Sequence, residues 1–292
     1  VLRDLLFRNK SNTMAETLFI IIVAVVIVET IFGSILDYLN DKTWKTELPE
    51  KLKDLYDEKE YARAQAYHKA NKRVGRIAGI ISLVGIMLLL FLDGFAWIDG
   101  IVREWSSEPV VVTLLFFGVL YIANDIISLP FSIYGTFVIE EKFGFNKTTV
   151  KTFILDKIKG YILGAIIGGG LLFLIVWFFE QTGDMFWLYT WLLISGFSIF
   201  MAMFYANLLL PVFNKLSPLP EGELRTAIEE YANKVNFSLK NIMVIDGSKR
   251  SSKSNAFFSG IGPKKSIVLY DTLIEDHTTE EPVSYTHLTL PT

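Results

Sequence analysis

The sequence predicts an all-α polytopic membrane domain of about five transmembrane helices, followed by a small, incomplete α+β cytoplasmic segment. Three observations lead there. Of the 292 residues 51% are apolar and 14% aromatic, with a mean hydropathy of +0.39, too hydrophobic for an ordinary soluble domain. Several apolar stretches are long enough to cross about 30 Å of hydrocarbon. After Pro211 those runs stop, and the shorter periodic pattern of soluble structure replaces them.

The spans fall near Leu18–Leu39, Ile77–Ile98, Val110–Phe131, Tyr161–Phe179 and Phe186–Leu210. Residues 1–13 precede the first methionine, Met14, and are expected to be a non-native or disordered extension, with the membrane domain covering 14–210. Pro130 is expected to kink or end the third span, and Glu140-Glu141-Lys142 beyond it to form a solvated, salt-bridged helix face. Gly160, Gly164 and Gly168 recur every four residues, which suits close helix packing.

Lysine and arginine set the orientation. The segment from Asn40 to Arg73 holds Lys42, Lys45, Lys51, Lys53, Lys59, Arg63, Lys69, Lys72 and Arg73, and Ile139–Lys159 is rich in lysine. The opposite loops carry only Arg103 and, around Glu180–Met185, nothing basic. By the positive-inside rule the two basic segments and everything after the fifth span face the cytoplasm, with the N-terminus outside.

In the soluble part, Leu224, Ala227, Ile228, Tyr231, Ala232 and Val235 share one face of a helix over Glu223–Asn236. Ile242–Ile245 is a short strand closed by an Asp246-Gly247 turn. Asn255–Ser259 and Ser266–Tyr270 form a hairpin across the turn-formers Gly260, Gly262 and Pro263. Thr272-x-x-Glu275 and Thr278-x-x-Glu281 both have the spacing of helix caps. This soluble segment covers 211–281. Pro282 interrupts the helix being started, and residues 282–292 have neither helical period nor cap, so they are expected to be a foreign tail.

Without cysteine there is neither a disulfide framework nor a thiolate metal site, and no basic patch suggests nucleic acid. The net charge of −3 says little about partners.

Three long blocks resemble the type I CAAX prenyl proteases, a family of integral-membrane zinc metalloendopeptidases. They are Leu129–Lys147 (LPFSIYGTFVIEEKFGFNK), Leu210–Glu223 (LPVFNKLSPLPEGE) and Asp246–Leu273 (DGSKRSSKSNAFFSGIGPKKSIVLYDTL). With the spans they cover nearly all of 14–281. Lys253 stands where eukaryotic members tend to have His, which points to a bacterial-type protein in a bacterial cytoplasmic membrane.

The resemblance implies C-terminal processing or membrane-protein proteolysis of a peptide or protein substrate, prenylated or membrane-associated, by an enzyme embedded in the lipid bilayer. It also implies a zinc ion, held in the family by a His-Glu-x-x-His helix and a distant glutamate; two histidines one turn apart can grip the metal while the glutamate deprotonates its water. That pattern does not occur in this sequence. His68, His277 and His287 lack the spacing, so no catalytic or metal-binding residue is assigned here and the chain is expected to be an inactive N-terminal fragment ending before that helix.

What the resemblance assigns is substrate handling. The strand Asn255, Ala256, Phe257 and Phe258 would be a sheet edge that pairs with an extended substrate; read without it, Phe257 and Phe258 alternate as core and surface residues of an ordinary hairpin. Four polar residues inside the spans, Glu29, Asn124, Asp125 and Asn207, are candidates to line the family's water-filled chamber, or else they make interhelical hydrogen bonds. The alternative reading is a transporter or channel-like protein without protease activity, but the two related halves usual in transporters are missing.

Overall fold

The computed structural model describes residues 2–43, 48, 57–261, 265–278 and 281–282, with side chains from residue 14 onward. The chain divides into two compact units, residues 1–95 and 96–292.

The first unit is a pair of long helices, α1 (Leu2–Thr43) and α2 (Glu58–Phe91). Residues 2–13 continue the first span as helix. α2 starts far outside the apolar run: Asp57 accepts the Lys59 amide and Glu58 and Glu60 complement the helix dipole, so residues expected to be loop, His68 among them, are helical. The second span does not reach Ile98. It stops at Phe91, where Asp93 takes the left-handed conformation (φ 53°), and a new helix α3 (Gly94–Trp105) begins. Of the basic first loop, Lys45, Lys51 and Lys53 lie outside the described residues.

In the second unit α4 (Pro109–Tyr134) opens with a proline in its first turn and runs on through a π-helical stretch, Gly135–Glu140. Pro130 therefore does not end the third span. α5 (Val150–Leu163), capped by the Thr149 hydroxyl on the Thr152 amide, passes through a second π-helical stretch (Gly164–Gly168) into α6 (Gly169–Thr182). A single 3₁₀ turn, Gly183–Met185, separates it from α7 (Phe186–Leu208), and α8 (Leu210–Phe213) follows. By length and composition the helical stretches 14–43, 58–91, 109–140 and 150–213 can cross a membrane, and the last, at 64 residues, contains both the fourth and the fifth expected span. Large apolar side chains such as Ile80, Ile126, Ile166 and Trp187 are exposed along them, as lipid contact requires. Of the glycine series only Gly164 meets a neighbour, Tyr121 at 3.6 Å; Gly160 and Gly168 face open space, so close packing is confined to one turn.

The C-terminal part is a four-stranded sheet, order β1-β2-β4-β3, with β1 (Leu216–Pro218), β2 (Asn241–Ile245), β3 (Ala256–Ser259) and β4 (Ser266–Tyr270). β1 and β2 are antiparallel, β2 and β4 parallel, and β3 and β4 antiparallel with Phe257 opposite Val268. Alternation along β4 fixes both faces. Ile267 and Leu269 join Ile228 of α9 (Glu223–Lys234) together with Ile242, Ala256 and Leu273. Val268 joins Ala206 and Leu210 at the end of α7 and the start of α8. The segment from 211 is thus seated on the last membrane helix and lies in the same compact unit as α4–α8.

A short α10 (Asp271–Glu275) follows β4. Thr272 lies inside α10 and does not cap it; its hydroxyl donates to the Lys253 carbonyl. The second cap forms in a modified way: the Glu281 carboxylate accepts the Thr278 amide (2.8 Å) and hydroxyl (3.0 Å), while the Thr278 carbonyl, not its hydroxyl, accepts the Glu281 amide. The Thr278 amide holds the Glu281 carboxyl below its ordinary pKa. Gly262, Pro263, Thr279 and residues 283–292 lie outside the described residues.

Candidate functional site

Among the described residues β3 pairs with β4 alone, so its other side is a sheet edge. The Tyr270 amide donates to the Asn255 carbonyl (3.0 Å). Hydrogen-bonded and non-bonded pairs alternate in an antiparallel ladder, so Phe257 and Ser259 also bond toward β4, whereas the amides and carbonyls of Ala256 and Phe258 point outward. The outward Ala256 amide is held by the Asn255 side-chain oxygen at 2.8 Å. Farther along, the Gly260 amide donates to the Ala202 carbonyl of α7 (3.1 Å), which fastens the strand's far end to the membrane helices. The open part of the edge is Ala256–Phe258. Neither phenylalanine is a surface residue: Phe257 packs edge-on to Tyr270 and Phe258 against Phe237, each on a different face of the sheet.

The segment before β3 is clamped by charge and backbone bonds. Arg250 makes a two-pronged contact with Asp156 of α5, Nε to Oδ2 at 2.7 Å and Nη2 to Oδ1 at 2.9 Å, and Nη2 also donates to the Phe213 carbonyl of α8 (2.8 Å). The Arg250 carbonyl accepts the Lys147 amide (3.0 Å) and the Thr148 hydroxyl (3.1 Å). Ser252 donates through its amide to the Phe145 carbonyl and through its hydroxyl to the Gly144 carbonyl, both at 3.1 Å. Gly144 sits at φ 75°, where a side chain would be strained. Lys253 pairs with Glu140 at 3.0 Å and lies 4.7 Å from the centre of the Phe145 ring. At the start of the segment, a Cβ on Gly247 would stand 2.3 Å from the Tyr270 ring, so only glycine lets the chain pass beside β4.

Of the four intramembrane candidates, only Asp125 is drawn into such a network. It accepts from Lys157 Nζ (2.6 Å) and from the Tyr161 hydroxyl, both on α5, so an interhelical hydrogen bond is made. The same residue lines a cavity of about 410 Å³ with Tyr121, Asp156, Lys157, Tyr161 and Arg250. Asn124 on α4 and Asn207 on α7 are exposed, and neither side chain has a hydrogen-bond partner among the described residues. Glu29 is exposed on α1, in the first unit. Glu140, expected on a solvated, salt-bridged face, is ion-paired with Lys253 but half-buried, while Glu141 and Lys142 beside it are exposed.

Sequence reasoning missed Asp156, Lys157, Tyr161 and the clamping role of Arg250. The available signal was weak: one acid, Asp156, among the lysines Lys151, Lys157 and Lys159 of the helix that leads into the fourth span. The described residues do not fit the metal. Among the described residues no group of three or more His, Asp or Glu could hold an ion, and both described histidines, His68 and His277, are exposed.

Two family models match the chain. "CAAX prenyl protease N-terminal, five membrane helices" matches residues 37–215 and "Peptidase family M48" matches residues 218–284. The "Probable CAAX prenyl protease 1" of Schizosaccharomyces pombe is 36% identical over 249 residues, which is 81% of this chain and 52% of that protein. The "CAAX prenyl protease 1" of Saccharomyces cerevisiae is 36% identical over 262 residues, 86% of this chain and 58% of that protein. The crystal structure of S. mikatae Ste24p superposes with a TM-score of 0.84 at 36% identity, covering 91% of this chain and 64% of that one. The chain therefore spans between half and two thirds of the proteins it matches. These relatives are eukaryotic, so the bacterial type inferred from Lys253 has no support; its pairing with Glu140 gives that lysine a local structural reason instead.

If the Arg250–Asp156 contact holds the segment, Arg250→Lys and Asp156→Asn should be strongly non-additive. A double-mutant cycle on thermal unfolding in detergent should give a coupling of about 0.5–3 kcal/mol, in the upper part of that range because the geometry is two-pronged and both side chains are about three-quarters buried. Purely additive effects would show that the contact is incidental.

Proposed function

The chain belongs to the CAAX prenyl protease family of M48 membrane metallopeptidases, and from that membership we propose that it forms the membrane-embedded, substrate-holding part of a zinc metalloendopeptidase acting on a prenylated or membrane-associated peptide or protein. A zinc ion belongs to the reaction in this reading. None of the described residues is assigned to it.

The observation that carries the reading is the open β3 edge. An extended peptide aligned along Ala256–Phe258 would meet outward amides and carbonyls at alternate positions, and such pairing uses backbone groups alone, which suits broad sequence tolerance. The substrate's carbonyl would replace the Asn255 side-chain oxygen on the Ala256 amide, exchanging one acceptor for another with little net cost. The clamp at Arg250 and the Gly260 bond to α7 would hold the strand rigid while this happens. The chamber-lining role is kept for Asp125, beside the 410 Å³ cavity, and for Asn124, Asn207 and Glu29. The transporter alternative loses ground to the two family matches.

Ala256→Pro tests the edge directly, because the amide it removes points away from β4 and the ladder is left intact. Binding of a farnesylated peptide to the purified chain should weaken by about two- to ten-fold, the loss of one hydrogen bond, while Ala256→Gly should bind as wild type. Unchanged binding by the proline variant would reduce β3 to scaffold.

The chain by itself should neither hold stoichiometric zinc nor hydrolyse that peptide, since the paired histidine pattern is missing from it. Metal analysis and a hydrolysis assay with and without chelator decide the point, and chelator-sensitive turnover would contradict it.

In this reading the N-terminus lies on the outer side and the sheet in the cytoplasm, an orientation that the positive-inside rule supports. A tag inserted between Asn40 and Arg73 should resist external protease in intact cells, and one at Gln181 should be cut. The opposite pattern would put β3 on the wrong side.

A further inference from the structure

The two helices of the first unit touch at their ends and stand apart between. At one end Lys72 of α2 bonds Asp41 of α1 at 2.6 Å and lies 3.4 Å from Asp37, and Arg76 also reaches Asp41. At the other end the rings of Phe19 and Phe91 meet edge to face at 5.4 Å. Between these contacts lies a cavity of about 990 Å³, which runs from His68 down past Gly33, Gly75 and Gly79 to Ile80 and Leu83. A methyl group added at any of those three glycines would meet nothing within 4 Å. Asp37, Tyr38, Asn40, His68 and Asn71 line its upper part; lower down Thr30 and Ser34 also line it, but their hydroxyls donate to carbonyls of their own helix (both 2.7 Å), so the lower trough offers little free polarity.

The mouth of this trough is basic. Lys69, Lys72, Arg73 and Arg76 recur at i, i+3, i+4 and i+7 on α2 and line an adjoining cavity of about 670 Å³ that ends at Ile77, where the apolar run begins. Asp41 and Asp37 neutralise Lys72 and Arg76. Lys69 and Arg73 are exposed and have no ion-pair or hydrogen-bond partner among the described residues. The positive-inside rule accounts for the side of the membrane on which they lie, but not for their gathering at the mouth of a slot.

We propose that the slot between α1 and α2 binds an anionic glycerophospholipid, its phosphate held by Lys69 and Arg73 and an acyl chain lying in the glycine-lined trough. Charge and polarity argue for this occupant. The unpaired cations sit at the mouth, and farther along α2 the lining becomes Gly75, Gly79, Ile80 and Leu83, apolar as the lipid's own chains are. This site is independent of the β3 edge and of any proteolysis.

Native mass spectrometry of the delipidated chain in detergent, titrated with phosphatidylserine or phosphatidylcholine, tests it. Phosphatidylserine should bind at least ten-fold more tightly. Lys69→Gln with Arg73→Gln should weaken it by about thirty-fold, roughly five-fold for each charge, while Lys142→Gln with Lys151→Gln, an equal loss of charge elsewhere, should have no effect. Gly79→Leu, which fills the trough and leaves the cations in place, should weaken both lipids. Equal binding of the two lipids, or unchanged phosphatidylserine affinity in the Lys69/Arg73 variant, would overturn the proposal. So would competition by glycerol phosphate at concentrations similar to the lipid, which would mark a site for free phosphate.

Discussion

The Arg250 guanidinium is the constraint on which the geometry around β3 depends. In one planar group it joins α5 through Asp156, the end of α8 through the Phe213 carbonyl, and the segment that leads into β3. A lysine at the same place carries the charge but not the fork, and could not serve both carboxylate oxygens in a fixed plane. Because the pair is largely removed from water, its worth lies less in net stability than in the cost of any arrangement that separates the two charges. The strand is therefore positioned by what its absence of partners would cost. Lys159, bonded to the Val212 carbonyl at 2.7 Å, repeats this logic one turn along α5 and keeps α8 from moving relative to that helix.

The sheet adds a second constraint of a different kind. β4 is buried on both faces, between α9 on one side and the end of α7 on the other, so its register cannot slip by one residue without exchanging Val268 for Ile267 and Leu269. β3 inherits its register from β4. An edge strand with open amides invites unwanted pairing, and two devices limit that here: the strand is only four residues long, and Asn255 occupies the first outward amide with its own side chain. Both restrain the edge without closing it, since a side-chain acceptor can be displaced and a covering strand cannot.

The helices and the hairpin were legible because their signals are local. Apolar length marks a span, and alternation between Gly260 and the preceding strand marks a turn. The missing pieces depend on distant residues. β1 is three residues long and ends in a proline, so nothing in Leu216–Pro218 announces a strand until Ile245, Val244 and Met243 stand opposite. The parallel pairing of β2 with β4 joins segments more than twenty residues apart, with β3 between them in sequence and outside them in space. The hydrophobic run that marks α2 begins at Ile77, whereas the helix itself begins nineteen positions earlier, at Glu58, behind its Asp57 cap. Arg250 and Asp156 lie 94 residues apart, and no periodicity connects them.

Asp125 shows why intramembrane polarity is an ambiguous signal. Its expected roles, lining an aqueous space and bonding between helices, were set against each other, and the geometry allows both at once: each carboxylate oxygen has a donor on α5, yet the residue borders a cavity. A carboxylate in hydrocarbon must recover most of its lost hydration from protein donors, and Lys157 and Tyr161 supply that on the side facing α5. Once those bonds are made, the cost of burying the charge has been met, and contact with water or a ligand becomes a matter of access. Asp125 therefore reads as a charge on the cavity wall that ties α4 to α5.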